Sequence, residues 1–186
     1  HMKGLPCDMD AIMEIAKKHN LFVIEDVAQA AGGTYKGRRL GTIGDIGCFS
    51  LDHYKVIASG EGGIMTFKDE WLYTRAQSYH DTAACWRPNR YERERKEGEL
   101  FAGENYRMSE LQSAVAYAQI KKLGNIVENL KNNYKKIVSN LKFLPSNALS
   151  IPGRPVQHTL HNRIVPMLFS SVCYADFQPL TEYSRP

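Results

Sequence analysis

The first twenty residues carry apolar side chains at helical spacing. Ile12, Ile15 and Ala16 fall on one face of a helix, and two lysines follow where the helix dipole favours positive charge. Asp8 precedes this stretch and is a good N-cap. The pattern therefore predicts a helix over residues 9–19.

Three short apolar runs follow the predicted helix, at residues 21–24, 46–50 and 62–67. Continuous apolar runs of this length are typical of strands that are buried on both faces of a sheet. The first run stops at Glu25 and Asp26, so Asp26 stands at the carboxyl end of its strand. In open α/β sheets this is the edge at which ligands bind.

Beyond residue 69 the pattern predicts two helices that are separated by a long irregular stretch. The first is expected over residues 70–78, and residues 82–104 are polar, aromatic and irregular. Such an insertion is typical of a binding loop or lid, and a disordered surface excursion is an equally good interpretation. A capping-box pattern at residues 109–112 predicts a long helix over 109–142. Gly124 is expected to kink this helix or to divide it in two.

Composition and charge narrow the class of protein. The chain has 186 residues, enough for one sizeable domain or one domain and part of another, and a formal net charge of +4. Acidic and basic residues are interleaved, so no one-sided basic patch for nucleic acid is visible. Every apolar run falls short of the roughly 20 residues that span a membrane. Four cysteines lie far apart, as expected for reduced thiols in a cytoplasmic protein: Cys7, Cys48, Cys85 and Cys173.

Three side chains of complementary chemistry follow the predicted strands. Asp26 ends one strand, Ser50 ends the next, and Lys55 lies in the loop after it. Taken alone, Lys55 is more readily interpreted as a surface lysine between two strands. Together the three residues match the needs of pyridoxal phosphate: a lysine for the Schiff base, a carboxylate that keeps the pyridine nitrogen protonated, and a hydroxyl for the phosphate. The sequence therefore indicates a site for this cofactor.

Four separated motifs give the chain a resemblance to a known family. They are Glu25-Asp26-Val27-Ala28-Gln29-Ala30, Gly44-Asp45-Ile46-Gly47-Cys48-Phe49-Ser50, Lys55 with Gly60-Glu61-Gly62-Gly63, and Asn105-Tyr106-Arg107-Met108-Ser109-Glu110-Leu111. In this order and spacing they resemble the DegT/DnrJ/EryC1/StrS family of pyridoxal-phosphate-dependent sugar aminotransferases. The resemblance covers roughly residues 1 to 142, and several motifs in register are far more specific than one short pattern.

The resemblance implies a role for each of five residues. Lys55 would form the Schiff base and also act as the base that moves the proton between the two carbons. Asp26 would pair with the pyridine nitrogen, Gln29 would bind near the ring hydroxyl, and Ser50 would bind the phosphate. Asn105 would reach the phosphate of the neighbouring subunit's cofactor, because sites of this family lie at the interface of a homodimer. No metal ligands are implied.

The resemblance also implies an α/β fold of the aspartate-aminotransferase type, which is fold type I of the pyridoxal-phosphate-dependent transferases. Residues 1–108 would be part of the large domain with its mostly parallel sheet, and residues 109–142 would be a long connecting helix. Residues 143–186 would be a truncated or divergent C-terminal segment. The family's amino-terminal part, with its phosphate-binding turn and ring-stacking aromatic residue, is absent from this sequence. We therefore expect the isolated chain to fold poorly or to bind cofactor weakly.

The function that the resemblance implies is transamination of a keto sugar, with glutamate or glutamine as the amino donor. The sugar would be nucleotide-linked or of the octulosonate type. Arginines in the irregular stretch would suit an anionic substrate, and solubility explains them equally well: Arg87, Arg90, Arg93 and Arg95.

Two alternatives stay open. A sugar dehydratase of the same family is disfavoured, because those members carry histidine in place of the Schiff-base lysine and Lys55 is present here. A truncated, non-catalytic relative is favoured by the missing amino-terminal part. The intact set of Asp26, Ser50 and Lys55 argues against that second alternative.

Overall fold

The structure is a computed structural model that describes residues 1–84 and 97–141. The described residues all belong to one compact unit, His1–Phe143, and the predicted C-terminal segment 143–186 lies outside them. Short 3₁₀ turns lie at Met2–Gly4 and Thr82–Ala84. In chain order the helices and strands are α1 (Met9–His19), β1 (Ile24–Asp26), β2 (Thr34–Tyr35), β3 (Arg38–Arg39), β4 (Ile46–Ser50), β5 (Gly63–Phe67), α2 (Glu70–His80), α3 (Glu110–Ile120) and α4 (Leu123–Asn140).

Helix α1 begins and ends at residues that satisfy its free backbone groups. The Asp8 carboxylate accepts a hydrogen bond from the N–H of Ala11 at 3.3 Å. Asn20 ends the helix in the left-handed conformation, with φ 52°, and its N–H donates to backbone carbonyls of the last turn. The helix predicted over residues 9–19 is confirmed at both ends.

The three longer strands form one sheet in the order β1–β4–β5. β1 runs parallel to β4, with Asp26 opposite Cys48, and β5 runs antiparallel to β4, with Gly63 opposite Ser50. β2 and β3 form a separate two-stranded hairpin. Of the expected mostly parallel sheet, the described residues contain one parallel pair and one antiparallel pair.

The expectation of a strand buried on both faces is wrong for the third run, because no residue of β5 is buried and Met65 is 50% exposed. It is also wrong for the first run, residues 21–24. The strand begins only at Ile24, and Leu21, Phe22 and Ile24 are 54%, 46% and 48% exposed. In the described part of the chain β1 lies at the edge of the sheet, and one face packs inward, where Glu25 is 3% exposed. An apolar run shows that a segment suits burial, but it does not show which elements cover it.

Among the described residues, the core consists of two clusters of buried side chains. The first joins α1, the turn after β1 and the segment before β4: Met9, Val27, Ala30, Leu40 and Ile43. The second joins the same turn, the loop after β4 and helix α3: Ala31, Leu51, Ile57 and Ala116. Phe49 of β4 packs against both clusters. The turn after β1 is therefore fixed from two directions.

The long helix predicted over residues 109–142 is divided into α3 and α4. Ser109 begins α3 with a capping box: its hydroxyl accepts the N–H of Gln112 at 3.2 Å, and the Gln112 side chain accepts the N–H of Ser109 at 3.3 Å. The division lies between Ile120 and Leu123, just before Gly124. Within the described ranges, none of the helices is long and apolar enough to cross a membrane.

Glu25 joins the first strand to the turn that precedes β4. Its side chain is fully buried, and its two oxygens accept hydrogen bonds from the N–H groups of Gly41, Ile43 and Gly44 at 2.8, 2.6 and 2.6 Å. A ring nitrogen of His1 lies 3.0 Å from the same carboxylate. Charge-assisted bonds of this kind are among the stronger ones in proteins, so Glu25 anchors the start of β4 to β1.

We expect Glu25→Gln to destabilise the folded chain by about 2–3 kcal/mol, because an amide N–H₂ would then face buried donors. The measurement is the free energy of unfolding in denaturant. Glu14→Gln, on the exposed face of α1, is the matched control and should change stability by less than about 0.5 kcal/mol. Equal effects of the two substitutions would contradict the anchoring role.

Candidate active site

Strand alternation places Asp26, Cys48 and Ser50 on one face of the sheet. Asp26 pairs with Cys48, and Ser50 lies two residues further along β4. Paired residues of neighbouring strands share a face, and residues two apart on one strand also share it. Glu25 and its partner Gly47 take the opposite face, which packs on the core. The carboxylate and the hydroxyl predicted to hold the cofactor therefore lie on the same, open face.

Asp26 is exposed, and its Oδ1 accepts a hydrogen bond from the N–H of Ala28 at 3.0 Å. This bond is a local turn that orients the carboxylate. Burial, followed by the negative charge of Asp26, raises the pKa of the neighbouring Cys48 thiol. Cys48 is thus a neutral thiol beside the carboxylate at neutral pH.

Gln29 lies on the turn after β1 and is also exposed. Its side-chain carbonyl oxygen accepts a hydrogen bond from the N–H of Lys3 at 2.9 Å. The carbonyl is therefore turned toward the chain, and the N–H₂ group of Gln29 is the part of this side chain that suits a bound acceptor.

The loop after β4 connects Ser50 to Lys55 through backbone hydrogen bonds. The Ser50 hydroxyl accepts the N–H of Asp52 at 3.2 Å, which leaves its O–H to act as a donor. The N–H of Lys55 donates to the carbonyl of Asp52 at 3.0 Å, and the N–H of Ser59 donates to the carbonyl of Leu51 at 2.9 Å. Lys55 is partly buried.

Asp52 is a residue of this site that the sequence analysis missed. Its carboxylate accepts the N–H of Tyr54 at 3.1 Å and lies 3.1 Å from a ring nitrogen of His53. The bond from Tyr54, with smaller contributions from the charges of His53 and Lys55, holds the pKa of Asp52 below its ordinary 3.8. An Asp that bonds the backbone two residues on is a known turn signal, and it is visible in the sequence.

The Glu61 carboxylate also approaches this turn. The ligand atoms of Asp52, His53 and Glu61 lie within 4.8 Å of one another, and two of these three residues are exposed. Exposed acidic groups commonly cluster in this way without binding a metal ion, so the cluster by itself assigns no metal site.

Two glycines allow the loop after Lys55 to turn back toward β5. Gly60 and Gly62 have φ values of +92° and +140°, which side chains rarely adopt. A Cβ on Gly62 would lie 2.7 Å from the sulfur of Met108. Met108 therefore packs closely on the loop that carries Lys55, and it brings the segment of Asn105 to this part of the molecule.

Asn105 is exposed and lies on a segment that is tied to the end of α2. It forms a β-bridge with Asp81, and the Asp81 carboxylate, fully buried, lies 2.8 Å from the guanidinium of Arg107. The side-chain oxygen of Asn105 accepts the N–H of Arg107 at 3.3 Å. The N–H₂ group of Asn105 is thus the part of the side chain that is suited to an incoming anion.

The donor set on this side of the sheet suits pyridoxal phosphate. An exposed carboxylate can face a protonated ring nitrogen, a serine with its proton to donate can bind phosphate, and an amine in the adjoining loop can react with an aldehyde. The structure brings Asp26 and Ser50 to one face and places Lys55 in the loop that continues from Ser50. The expected substrate loop, with its four arginines, lies largely in residues 85–96, outside the described residues.

A separate depression lies at the other end of β5, away from Ser50. Its volume is about 350 Å³, and it opens to solvent. Phe67 pairs with Ile46 at the start of β4, and Met65 pairs with Cys48, so the depression adjoins the face of Asp26 and Ser50 at its far end. The lining residues are Met65, Phe67, Lys68, Asp69, Glu70 and Tyr73.

Comparison with known proteins gives consistent matches. Residues 1–176 match the DegT/DnrJ/EryC1/StrS aminotransferase family. The chain is 38% identical over 128 residues to the GDP-perosamine synthase of Caulobacter vibrioides, an alignment that covers 66% of this chain and 31% of the relative. It is 39% identical over 130 residues to the L-glutamine:2-deoxy-scyllo-inosose aminotransferase of Streptoalloteichus tenebrarius, covering 66% and 30%.

A solved structure gives the same result for the fold. The aminotransferase from Psychrobacter cryohalolentis is 42% identical, with a TM-score of 0.58 over 67% of this chain and 33% of that one. The expected α/β fold of the aspartate-aminotransferase type is confirmed. The chain spans about a third of the length of these three proteins.

Tyr106 and Glu104 flank Asn105, and the Tyr106 phenol donates to the Glu104 carboxylate at 2.7 Å. This bond, followed by one with Tyr79, raises the pKa of Tyr106 from 10.0 to about 12. The folded chain prefers the protonated phenol, so the stabilising contribution is complete below pH 10.0 and is lost as the pH rises through about 12.

We expect Glu104→Gln to return the pKa of Tyr106 toward its ordinary value. The measurement is an alkaline titration of phenolate absorbance, with the curve of Tyr106→Phe subtracted to isolate this tyrosine. If Tyr106 titrates at the same pH in the unmutated chain and in Glu104→Gln, the Glu104 carboxylate does not raise the pKa of Tyr106.

Proposed function

Because the chain belongs to the DegT/DnrJ/EryC1/StrS aminotransferase family, we propose that it carries the lysine and ring-binding part of a pyridoxal-phosphate-dependent sugar aminotransferase. In the proposed reaction the amino group of glutamate or glutamine replaces the keto oxygen of a sugar, and the donor is left as the oxo acid. The observation that carries the proposal is the placement of Asp26 and Ser50 on one open face, with Lys55 in the adjoining loop.

Pyridoxal phosphate, when bound, supplies an aldehyde that condenses with a lysine amine and a protonated ring that accepts electrons from the reacting carbon. Asp26 would hold the proton on the ring nitrogen. Its carboxylate is exposed to a ligand, and the turn bond from Ala28 already fixes its orientation. An ionised carboxylate beside a protonated nitrogen stabilises that proton by direct charge attraction.

Lys55 would attach to the cofactor and later move a proton between the two reacting carbons. Its amine, in the loop that continues from Ser50, is the nucleophile that this reaction needs. Ser50 would donate its O–H to the phosphate, and Gln29 would donate its N–H₂ near the ring hydroxyl. In both side chains the oxygen already accepts a backbone N–H, so the O–H of Ser50 and the N–H₂ of Gln29 are the groups that remain to donate.

The proposed substrate is a keto sugar linked to a nucleotide, and an octulosonate-type sugar is the second possibility within the class. One relative is named as a GDP-perosamine synthase, and another is named as an aminotransferase of glutamine and an inosose. Both names fit amination of a polyhydroxylated keto substrate. A dehydratase is disfavoured here by the presence of Lys55.

We also propose that the chain acts as a homodimer in which Asn105 serves the partner's cofactor. Its N–H₂ group points away from the bond with Arg107, and the segment is held in place by the buried Asp81. Residues 1–108 would belong to the large domain, and residues 109–142 would connect it to the segment 143–186.

A cytoplasmic location is proposed as well. Cys7 and Cys48 are free thiols, as expected in a reducing compartment. Both substrates of the proposed reaction are polar and water-soluble, so this location places the enzyme where they are dissolved.

Borohydride reduction in the presence of pyridoxal phosphate should label Lys55 in preference to the other lysines, because its amine adjoins the phosphate- and ring-binding residues. The label is located by peptide mass, and the visible spectrum is recorded before reduction. Lys55→Ala should remove this label, whereas Lys68→Ala, at the other end of the sheet, should leave it unchanged. Bleaching of the band by glutamate or glutamine then supports transamination.

Labelling spread evenly over surface lysines, or absent from Lys55 in a folded sample, would overturn the cofactor assignment. A persistent band that neither amino donor changes would contradict the aminotransferase activity while leaving the cofactor site in place.

Mixing two inactive variants tests the shared site. Lys55→Ala lacks the amine, and Asn105→Ala lacks the proposed phosphate donor for its partner. A mixed dimer has one complete site, with Lys55 from one copy and Asn105 from the other. We expect labelling of Lys55 on Asn105→Ala to rise after mixing to roughly half the unmutated level, because half of the dimers are mixed. Unchanged labelling after subunit exchange would refute the sharing of the site.

A further inference from the structure

One residue lies at the centre of the hydrogen bonds between Ser50 and Lys55. The backbone N–H of Asp52 donates to the Ser50 hydroxyl at 3.2 Å, and its carbonyl accepts the N–H of Lys55 at 3.0 Å. Its carboxylate accepts the N–H of Tyr54 at 3.1 Å. Asp52 also forms a β-bridge with Gly60, which ties the two ends of the loop together.

The carboxylate of Asp52 adds a side-chain hydrogen bond to a turn that the backbone bond from Lys55 to Asp52 also closes. A side-chain oxygen that accepts the N–H two residues further on is the Asx-turn, which aspartate and asparagine form readily. An apolar side chain at this position would deprive the N–H of Tyr54 of its acceptor. The direction in which the chain leaves Ser50, and hence the position of Lys55, follows from this turn.

The geometry of the turn, rather than the charge of Asp52, is what the proposed site requires. A negative charge beside a bound phosphate costs energy through repulsion of like charges. In this structure a ring nitrogen of His53 lies 3.1 Å from the carboxylate, and the side chains of His53 and Asp52 are 58% and 28% exposed, so solvent also screens the charge. An uncharged acceptor of the same shape should therefore serve equally well.

We propose that Asp52 is a positioning residue, whose turn directs the amine of Lys55 and the hydroxyl of Ser50 toward the same bound phosphate compound. This inference rests on the proposed cofactor site and adds to it a residue that does not itself touch the reacting atoms. It predicts that asparagine, which keeps the acceptor oxygen, replaces Asp52 and that alanine does not.

The test compares Asp52→Ala and Asp52→Asn in two measurements. The first is amide hydrogen exchange at Tyr54 and Lys55 in the chain without cofactor. The second is the rate at which pyridoxal phosphate labels Lys55, with the adduct trapped by borohydride. The same rate is measured with pyridoxal, which lacks the phosphate. For Asp52→Ala we expect about tenfold faster exchange at both amides and about tenfold slower labelling by pyridoxal phosphate, since one turn bond is lost. Asp52→Asn should match the unmutated chain in both.

Asp69→Ala is the matched control. The Asp69 carboxylate also accepts one backbone N–H, that of Leu72 at 2.9 Å, and it does so as the N-cap of α2. Its loss should lower the stability of the chain by a similar amount and leave the labelling rate of Lys55 unchanged. This control separates a positioning effect from a general loss of stability.

Each outcome decides the proposal. Normal labelling in Asp52→Ala, or equal defects in Asp52→Ala and Asp52→Asn, overturns it, because the turn would then be unnecessary or the charge essential. If the unmutated chain takes no preferential label at Lys55, the proposed cofactor site fails. Amide exchange then still decides whether Asp52 fixes the loop, and unchanged exchange in Asp52→Ala overturns that claim independently.

Discussion

The burial of the Glu25 carboxylate is the constraint on which the geometry of the site depends. A carboxylate removed from water has to be hydrogen-bonded, and Glu25 finds its partners in the turn at residues 41–44 and in His1. Because side chains alternate along a strand, a Glu25 that points into the protein turns Asp26 to the opposite, open face. The exposed position of Asp26, which the proposed chemistry requires, is therefore a consequence of the residue before it.

The same constraint determines which face Ser50 takes. Gly47 pairs with Glu25 across the two strands, and a side chain there would collide with the carbonyl of Gly41. The absence of a side chain lets the turn at 41–44 lie directly over β4 and reach the Glu25 carboxylate. With Gly47 against the turn, alternation along β4 sends the hydroxyl of Ser50 to the face of Asp26. Asp26 and Ser50, which are 24 positions apart in the sequence, thus lie on the same face of the sheet.

Local sequence patterns predicted the structure correctly where local hydrogen bonds determine it. The N-cap and apolar spacing of α1, the run that forms β4 and the capping box at Ser109 were all predictable, and each is confirmed. The burial of residues 21–24 was not predictable, because it depends on which elements cover each face of the sheet. The turn at Asp52 was missed although its signal is local. The motif that identifies Lys55 does not show which neighbouring residue orients it. The roles assigned to the cofactor-binding residues stay predictions.

Asp26 and Lys55 are held by different physical means, and the difference suits their proposed tasks. Asp26 is fixed by a sheet and by the buried carboxylate beside it, which open only when the core opens. Lys55 follows Ser50 in a loop that is held by turn bonds, each contributing about 1 kcal/mol, and by the packing of Met108 on Gly62. A carboxylate that stabilises charge on a ring has to stay still. An amine that attaches, leaves and carries a proton between two carbons has to move over a short distance, and a loop with few, local bonds permits that motion without disturbing the sheet.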